Sequence, residues 1–169
     1  MQPIMLILAD IRSTYNVGSI LRSADCFGVS EVIFAGYTPY PRLAGDKRLP
    51  HLANKLTRAI HKTALGAEIT LPMQAFKDVA MAIAYAKSKG CLVAALEQTP
   101  GSIVLPAFKP QAPIALLLGN ETGGLTPKTL ELCDIIIEIP QYGQKESLNV
   151  ATAAAIALYD LKTKDKTHG

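Results

Sequence analysis

Short apolar runs alternate along this chain with stretches in which apolar residues recur every three or four positions. Pro3–Ala9, Glu31–Ala35, Ala67–Leu71, Cys91–Leu96, Pro113–Leu118 and Asp134–Ile139 are continuous enough to predict strands. Pro113–Leu118 has no polar side chain, the pattern of a strand covered on both faces. Between these runs the spacing becomes helical. Asn16–Phe27 sets Ile20, Leu21, Ala24 and Phe27 on one side, with Asn16 able to cap it and Gly28 able to end it. His51–Ala64, ending near Gly66, is a second predicted helix. Gln74–Lys89, with Phe76, Val79, Ala80, Ile83 and Ala86, is a third, followed by Gly90. Thr126-Pro127 is a helix start, and Ser147–Lys162 is an Ala-rich helix. Ser102–Leu105 reads as a short extended piece. Gly36–Pro50, with its prolines and glycines, reads as a long loop of the kind that is functional or mobile. Strands alternating with helices give an α/β class with a mostly parallel sheet flanked by helices. We read residues 1–169 as one domain with no appended RNA-binding domain, its polar tail from Thr163 to Gly169 expected to fray.

Composition adds three points. Hydrophobic residues reach 49%, so the chain is not disordered. Charged residues are only 18%, below the typical value of about 25%, which points to apolar surface buried between subunits or to a plain Ala- and Ile-rich core. The net charge of +3 is mild, but its distribution is not even. Arg42, Lys47, Arg48, Lys55, Arg58 and Lys62, with His51 and His61, face a single acid, Asp46. Such a cluster can follow an RNA phosphate backbone, or it can be a solvated loop and helix face. Cys26, Cys91 and Cys133 lack metal spacing and read as buried free thiols in a reducing cytoplasm. No metal is signalled. Met1–Ala9 has no basic flank and reads as a strand rather than a signal peptide, and no apolar run approaches a membrane span, so the expected location is cytoplasmic.

Three segments carry candidate chemistry. The first is Asn16-Val17-Gly18-Ser19-Ile20-Leu21-Arg22. Gly18 lets a ligand or another backbone approach its helix face. Arg22, one turn on, offers a planar fork of donors suited to a phosphate, or an ion pair with Asp25. The second is Leu118-Gly119-Asn120-Glu121-Thr122-Gly123-Gly124-Leu125, directly after an apolar strand. Ligands of parallel sheets bind at such strand ends. The turn lacks a phosphate-loop ending and is not a dinucleotide fingerprint, but it does contain an acid. The third runs from Ile139-Pro140-Gln141-Tyr142 through Gly143-Gln144-Lys145-Glu146 to Ser147-Leu148-Asn149-Val150. It closes a strand and opens a helix whose free amides face any nearby anion. Ser147 can cap that helix.

In this order, the three segments resemble the motifs of the SpoU (TrmH-like) branch of the SPOUT superfamily, RNA ribose 2′-O-methyltransferases that use S-adenosylmethionine. The resemblance covers nearly the whole chain. It implies a deep C-terminal trefoil knot, an exception to the rule against knots, and a homodimer with the active site near the interface. It implies catalytic roles for Arg22, Asn16, Glu121, Ser147 and Asn149. It implies a cofactor pocket formed by Leu96, Gly119, Asn120, Ile139, Gln141, Ser147, Leu148 and Asn149, with Glu97, Gln98 and Thr99 as a further wall. RNA binding would fall to Arg22 and to Arg42, Lys47, Arg48, Lys55, Arg58 and Lys62, with Tyr37 and Tyr40 able to stack on bases. Gln141 and Ala151 stand where the family often has methionine and serine. The expected partner is tRNA or rRNA, with tRNA slightly favoured. A non-catalytic RNA-binding module on the same fold, and base rather than ribose methylation, are the alternatives.

Overall fold

The computed structural model describes residues 2–164. Its elements in chain order are β1 (Ile4–Ala9), α1 (Thr14–Cys26), β2 (Glu31–Ala35), α2 (Pro50–Ala64), α3 (Ala67–Thr70), β3 (Met73–Phe76), α4 (Val79–Ser88), β4 (Leu92–Leu96), β5 (Ile103–Val104), β6 (Ile114–Leu118), α5 (Pro127–Leu130), β7 (Ile135–Glu138) and α6 (Val150–Lys164), with a 3₁₀ turn at Leu105–Ala107. The strands form one seven-stranded sheet in the order β3-β2-β1-β6-β4-β7-β5. Every pairing is parallel, for example Ile4↔Ile114 through Leu8↔Leu118. The class is therefore the expected α/β, with a sheet that is wholly parallel among the described strands.

Period-2 alternation explains how one sheet makes two cores. Leu6, Leu8, Val32, Phe34, Leu116 and Leu118 face α1, α2 and α6, while Ile7, Ile33, Val93, Ala95 and Leu117 face α4. The central strands β1 and β6 are buried at every position, so each reads as an unbroken apolar run. Gly18 decides how tightly α1 meets α2. A Cβ there would strike Thr63 Oγ1 and the Ile60 carbonyl, so the glycine admits a helix and not a ligand. No described helix is long and apolar enough to cross a membrane.

The expected strand Ala67–Leu71 is instead the short helix α3. Glu68 turns its carboxylate back onto Gly66 N–H at 3.0 Å and onto His61 Nδ1 at 2.5 Å, an acid-capped first turn that a strand could not make. The true edge strand is β3, paired to β2 from Val32↔Met73, and it lies where a helix from Gln74 was expected. Asp78 separates the two by accepting a 2.8 Å bond from Met81 N–H as the cap of α4. Residues 165–169 of the expected fraying tail lie outside the described residues, while Thr163 and Lys164 close α6.

Candidate active site

The sheet's carboxyl edge carries the site, and the turn after β6 is its centre. A Cβ on Gly119 would sit 2.7 Å from the Gly124 carbonyl carbon and 2.9 Å from Leu125 Cγ, so the turn closes only over glycine. Asn120 Oδ1 accepts from the N–H groups of Thr122 (2.9 Å) and Gly123 (3.2 Å), which fixes the loop from inside. Glu121 then reaches away from its own strand. Its carboxylate accepts from Arg12 N–H (3.0 Å), Ser13 N–H (3.1 Å) and Asn16 Nδ2 (2.9 Å). Partial burial pushes the Glu121 pKa up. The bonds from Arg12, Asn16, its own backbone and Ser13 outweigh that push, and the net pKa lies below the ordinary glutamate value.

Asn16 can do this because it is not the helix cap. Ser13 is, accepting from Asn16 N–H at 3.2 Å, and α1 begins at Thr14. The Asn16 side chain is left free for Glu121 and Asn149. The third segment differs in the same way. Asn149, not Ser147, caps α6, accepting from Ala151 N–H at 2.9 Å and, more weakly, Thr152 N–H at 3.4 Å. Its Nδ2 donates to Asn16 Oδ1 at 3.1 Å. One chain of bonds thus runs Asn149–Asn16–Glu121 and joins all three segments, across more than a hundred residues at each step.

Beside this chain opens a cleft of about 490 Å³ between the ends of β4, β6 and β7. Of the expected cofactor residues, Leu96, Gly119, Asn120, Ile139, Gln141, Ser147 and Leu148 line it, as do Glu97, Gln98 and Thr99; Asn149 does not line it and is exposed. Its walls hold four glutamates, Glu97, Glu121, Glu138 and Glu146, and no lysine, arginine or histidine. Thr99 Oγ1 is buried there without a hydrogen-bond partner among the described residues. Such an orphan costs on the order of 1–3 kcal/mol unless a ligand satisfies it.

A model of the SpoU rRNA methylase family matches residues 3–159. The chain belongs to this family. It is 33% identical over 158 residues to the 23S rRNA (guanosine-2'-O-)-methyltransferase RlmB of Nitrosomonas europaea, covering 93% of this chain and 55% of that one. The enzyme of the same name from Xylella fastidiosa is 31% identical over 94% of this chain and 58% of its own length. The chain spans little more than half the length of these curated relatives. Among solved structures, the AdoMet-bound rRNA methyltransferase from Sinorhizobium meliloti superposes with a TM-score of 0.78 at 26% identity, over 96% of this chain and 56% of that one. The SpoU methyltransferase AviRb from Streptomyces viridochromogenes, at 24% identity and a TM-score of 0.82 over 98% of this chain and 59% of its own, shares the fold.

Not every residue expected from the SpoU resemblance converges. Arg22 is exposed on α1 and does not line the cleft. Six residues beyond Asn16, it lies about 9 Å further along the helix axis. Its pairing with Asp25 is not formed; Asp25 instead accepts from Thr70 Oγ1 at 2.7 Å. Arg42, Lys47, Lys55, Arg58 and Lys62 are exposed, and Lys55, Arg58 and Lys62 follow one face of α2 with His51. Arg48 differs. Its guanidinium lies 3.5 Å over the Tyr40 ring and bonds Asp46, Tyr40 O and Pro41 O, so it staples its own loop rather than facing solvent. The long loop is therefore held in shape. Cys26 is exposed, against the expectation of a buried thiol, because it follows the outer face of α1. Cys91 and Cys133 are half-buried, and burial raises both thiol pKa values, Cys133 to about 11. Sequence reading missed Glu138, Glu146 and Val150 in the cleft wall, although their positions flanking Ile139 and Asn149 were a usable signal. Among the described residues no group of three or more His, Cys, Asp or Glu could hold a metal ion.

Proposed function

We propose that this chain transfers a methyl group from S-adenosylmethionine to a ribose 2′-hydroxyl of RNA, as a cytoplasmic homodimer. The observation that carries the reading is the cleft wall, with four glutamates, apolar side chains, an orphan hydroxyl and no basic residue. That lining suits a cationic ligand and disfavours phosphorylated cofactors. S-adenosylmethionine fits it, with a sulfonium, an ammonium and an apolar-faced adenosine. When bound, it supplies an electrophilic methyl group. Leu96, Ile139 and Leu148 would hold the adenosine, and Thr99 would donate or accept one bond.

The chain's own residues set the geometry. Glu121, with its lowered pKa and three donors, is a poor proton acceptor and works as a positioning residue that locks Asn16 and Asn149. Ser147, which lines the cleft, would orient the ribose. As the 2′-oxygen gains the methyl and the sulfonium becomes a neutral thioether, the hydroxyl proton would pass to solvent water at the open cleft, since neither Glu121 nor Arg22 takes it. Arg22 stays charged and would hold the neighbouring phosphate and stabilise the developing alkoxide.

A dimer supplies what one copy lacks. α1 and α6 lie side by side with both N-termini at the cleft, as the Asn16–Asn149 bond and the Phe27–Tyr159 ring contact at 6.3 Å require. Their outer faces leave Tyr15 55%, Ile156 39% and Tyr159 60% exposed, and Arg22 on α1 is exposed too. Pairing two copies over this face would bring Arg22 of each toward the other's cleft. The family resemblance also implies that α6 passes through a knotted loop, and we include that threading in the proposal.

Calorimetric titration with S-adenosylmethionine tests the cofactor. We expect micromolar binding, weakened about fivefold in Thr99→Val, the worth of one hydrogen bond. No binding by the folded parent would sink the reading. The substrate to try first is 23S rRNA, after the names of the relatives, with tRNA second; a nucleoside digest distinguishes ribose from base products. For Arg22 acting across the dimer, mixing inactive Arg22→Ala and Ser147→Ala copies should restore on the order of a quarter of the activity. Zero recovery from verified mixed dimers would place Arg22 in its own subunit's site.

A further inference from the structure

The glycine turn has a second side, away from the cleft, where β1 and β2 end. There Tyr37 is 58% exposed yet held at both ends. Its N–H donates to Asp10 Oδ1 at 3.1 Å, and its hydroxyl accepts from Asn120 Nδ2 at 2.7 Å. The same Nδ2 donates to Asp10 O at 2.8 Å. Asp10 adopts φ +55°, a left-handed conformation rare outside glycine and costly unless its surroundings enforce it. Gly36, at φ +66°, makes room, since a Cβ there would collide with the Asp10 carboxylate. Below it, buried Thr38 bonds Ile11 N–H (3.0 Å) and Leu8 O (2.8 Å), so the base of the turn is fixed.

Arg12 stands over this ring with its guanidinium carbon 6.0 Å from the centroid. Its side chain is exposed and makes no hydrogen bond to any described residue, while its backbone N–H is one of the three donors that anchor Glu121. Arg48 shows what a closed pair looks like, at 3.5 Å from the Tyr40 ring. A planar base occupies about 3.4 Å of a stack. The Arg12–Tyr37 gap is thus short of two such spacings by roughly 1 Å, within reach of one exposed arginine rotamer. An exposed aromatic ring fixed at both ends, beside an unbonded guanidinium, is the stacking surface that unpaired bases bind.

We propose that Tyr37 and Arg12 form a platform that takes an unpaired RNA base next to the target ribose. The inference rests on the RNA methyl-transfer reading and narrows its substrate to RNA with an unpaired nucleotide at the site. Asn120 joins the two sides, lining the cleft while holding Tyr37.

The chain has no tryptophan, so Tyr37→Trp introduces a single fluorophore at the platform. Single-stranded oligoadenylate should quench this indole, and its duplex with oligouridylate at the same concentration should not. Adding Arg12→Ala should weaken the quenching titration about tenfold. An indole indifferent to the single strand, or quenched equally by the duplex, overturns the proposal. In methylation assays on unmodified ribosomal RNA, Tyr37→Ala should raise KM for RNA about tenfold, and Tyr37→Phe should recover most of that loss. A KM equal to the parent's in Tyr37→Ala also overturns it. S-adenosylmethionine calorimetry on the parent separates the two readings. Cofactor binding with a silent indole sinks the platform alone, whereas a quenched indole without cofactor binding sinks methyl transfer and leaves the platform standing.

Discussion

The Gly36–Pro50 loop and the turn after β6 each hold a carboxylate below its usual pKa, but over very different stretches of chain. Asp46 is served by Arg48, two residues away, through N–H (2.9 Å), Nε (3.0 Å) and Nη2 (2.5 Å), and that guanidinium holds its carboxyl far below the ordinary range. Glu121 is served by Arg12, Ser13 and Asn16, which lie 109, 108 and 105 residues away. A contact across two residues is available to a largely unfolded chain. A contact across a hundred exists only once β1 and β6 are paired. The first shapes a loop; the second makes assembly of the site a consequence of folding.

The sharpest way to break this comparison is Glu121→Gln. A glutamine has one acceptor oxygen and turns an NH₂ toward donors, so at least one of the three N–H groups loses its partner. We expect a stability loss of about 2–3 kcal/mol in denaturant melts. Methylation should fall at least about a hundredfold, because Asn16 and Asn149 lose their fixed positions. A double-mutant cycle with Asn16→Ala should show coupling of about 1 kcal/mol. Additive effects would mean that the bond at 2.9 Å carries no energy of its own.

Gly18→Ala separates anchoring by the carboxylate from anchoring by packing. The new methyl meets Thr63 and the Ile60 carbonyl, and α2 must retreat. About 2 kcal/mol of stability should be lost, the usual cost of overpacking, with a smaller fall in methylation than Glu121→Gln produces. An equal fall would show that the α1–α2 contact, not Glu121, positions Asn16.

This contrast also marks what the sequence could reveal. The unbroken apolar strands, the helix faces and the three segments were legible because each depends on a local period or a local turn. Helix starts slipped by two or three residues where two capping residues stand close together. Ser13 and Asn16 compete for one cap, as do Ser147 and Asn149, and only the tertiary partner of Asn16 decides which side chain is left over. β3 was hidden because Met73–Phe76 runs into α4 through the single cap Asp78. Arg48 read as one more cation of a basic cluster, since nothing local shows that it lies on Tyr40. Tyr37 drew attention as a loop aromatic, but its bond to Asn120 spans 83 residues and carries no sequence signal.

A milder comparison sets Arg48 against Arg58. Arg48→Ala should cost about 1 kcal/mol, for the lost bonds and ring contact, and leave the salt dependence of RNA binding unchanged. Arg58→Ala, on the exposed face of α2, should leave stability within about 0.5 kcal/mol and lower the slope of log K against log salt by about 1. Equal slopes for the two variants would return Arg48 to the RNA surface.

The smallest effect, and the one that tests the two carboxylates directly, is their behaviour in acid. Each has a folded-state pKa below its unfolded value of about 4. Each therefore contributes stability that is complete above that value and is lost as pH falls toward the folded pKa. For Glu121 the gap between parent and Glu121→Gln should narrow as pH falls through its unfolded value toward the lower folded pKa. For Asp46 the folded pKa is displaced much further, and the gap between parent and Asp46→Asn should keep narrowing into stronger acid. Denaturant midpoints across this range measure both gaps. If the Glu121 gap outlasted the Asp46 gap on acidification, the long-range donors would hold their carboxylate more firmly than an adjacent arginine does, and the distinction between a site anchor and a loop staple would be reversed.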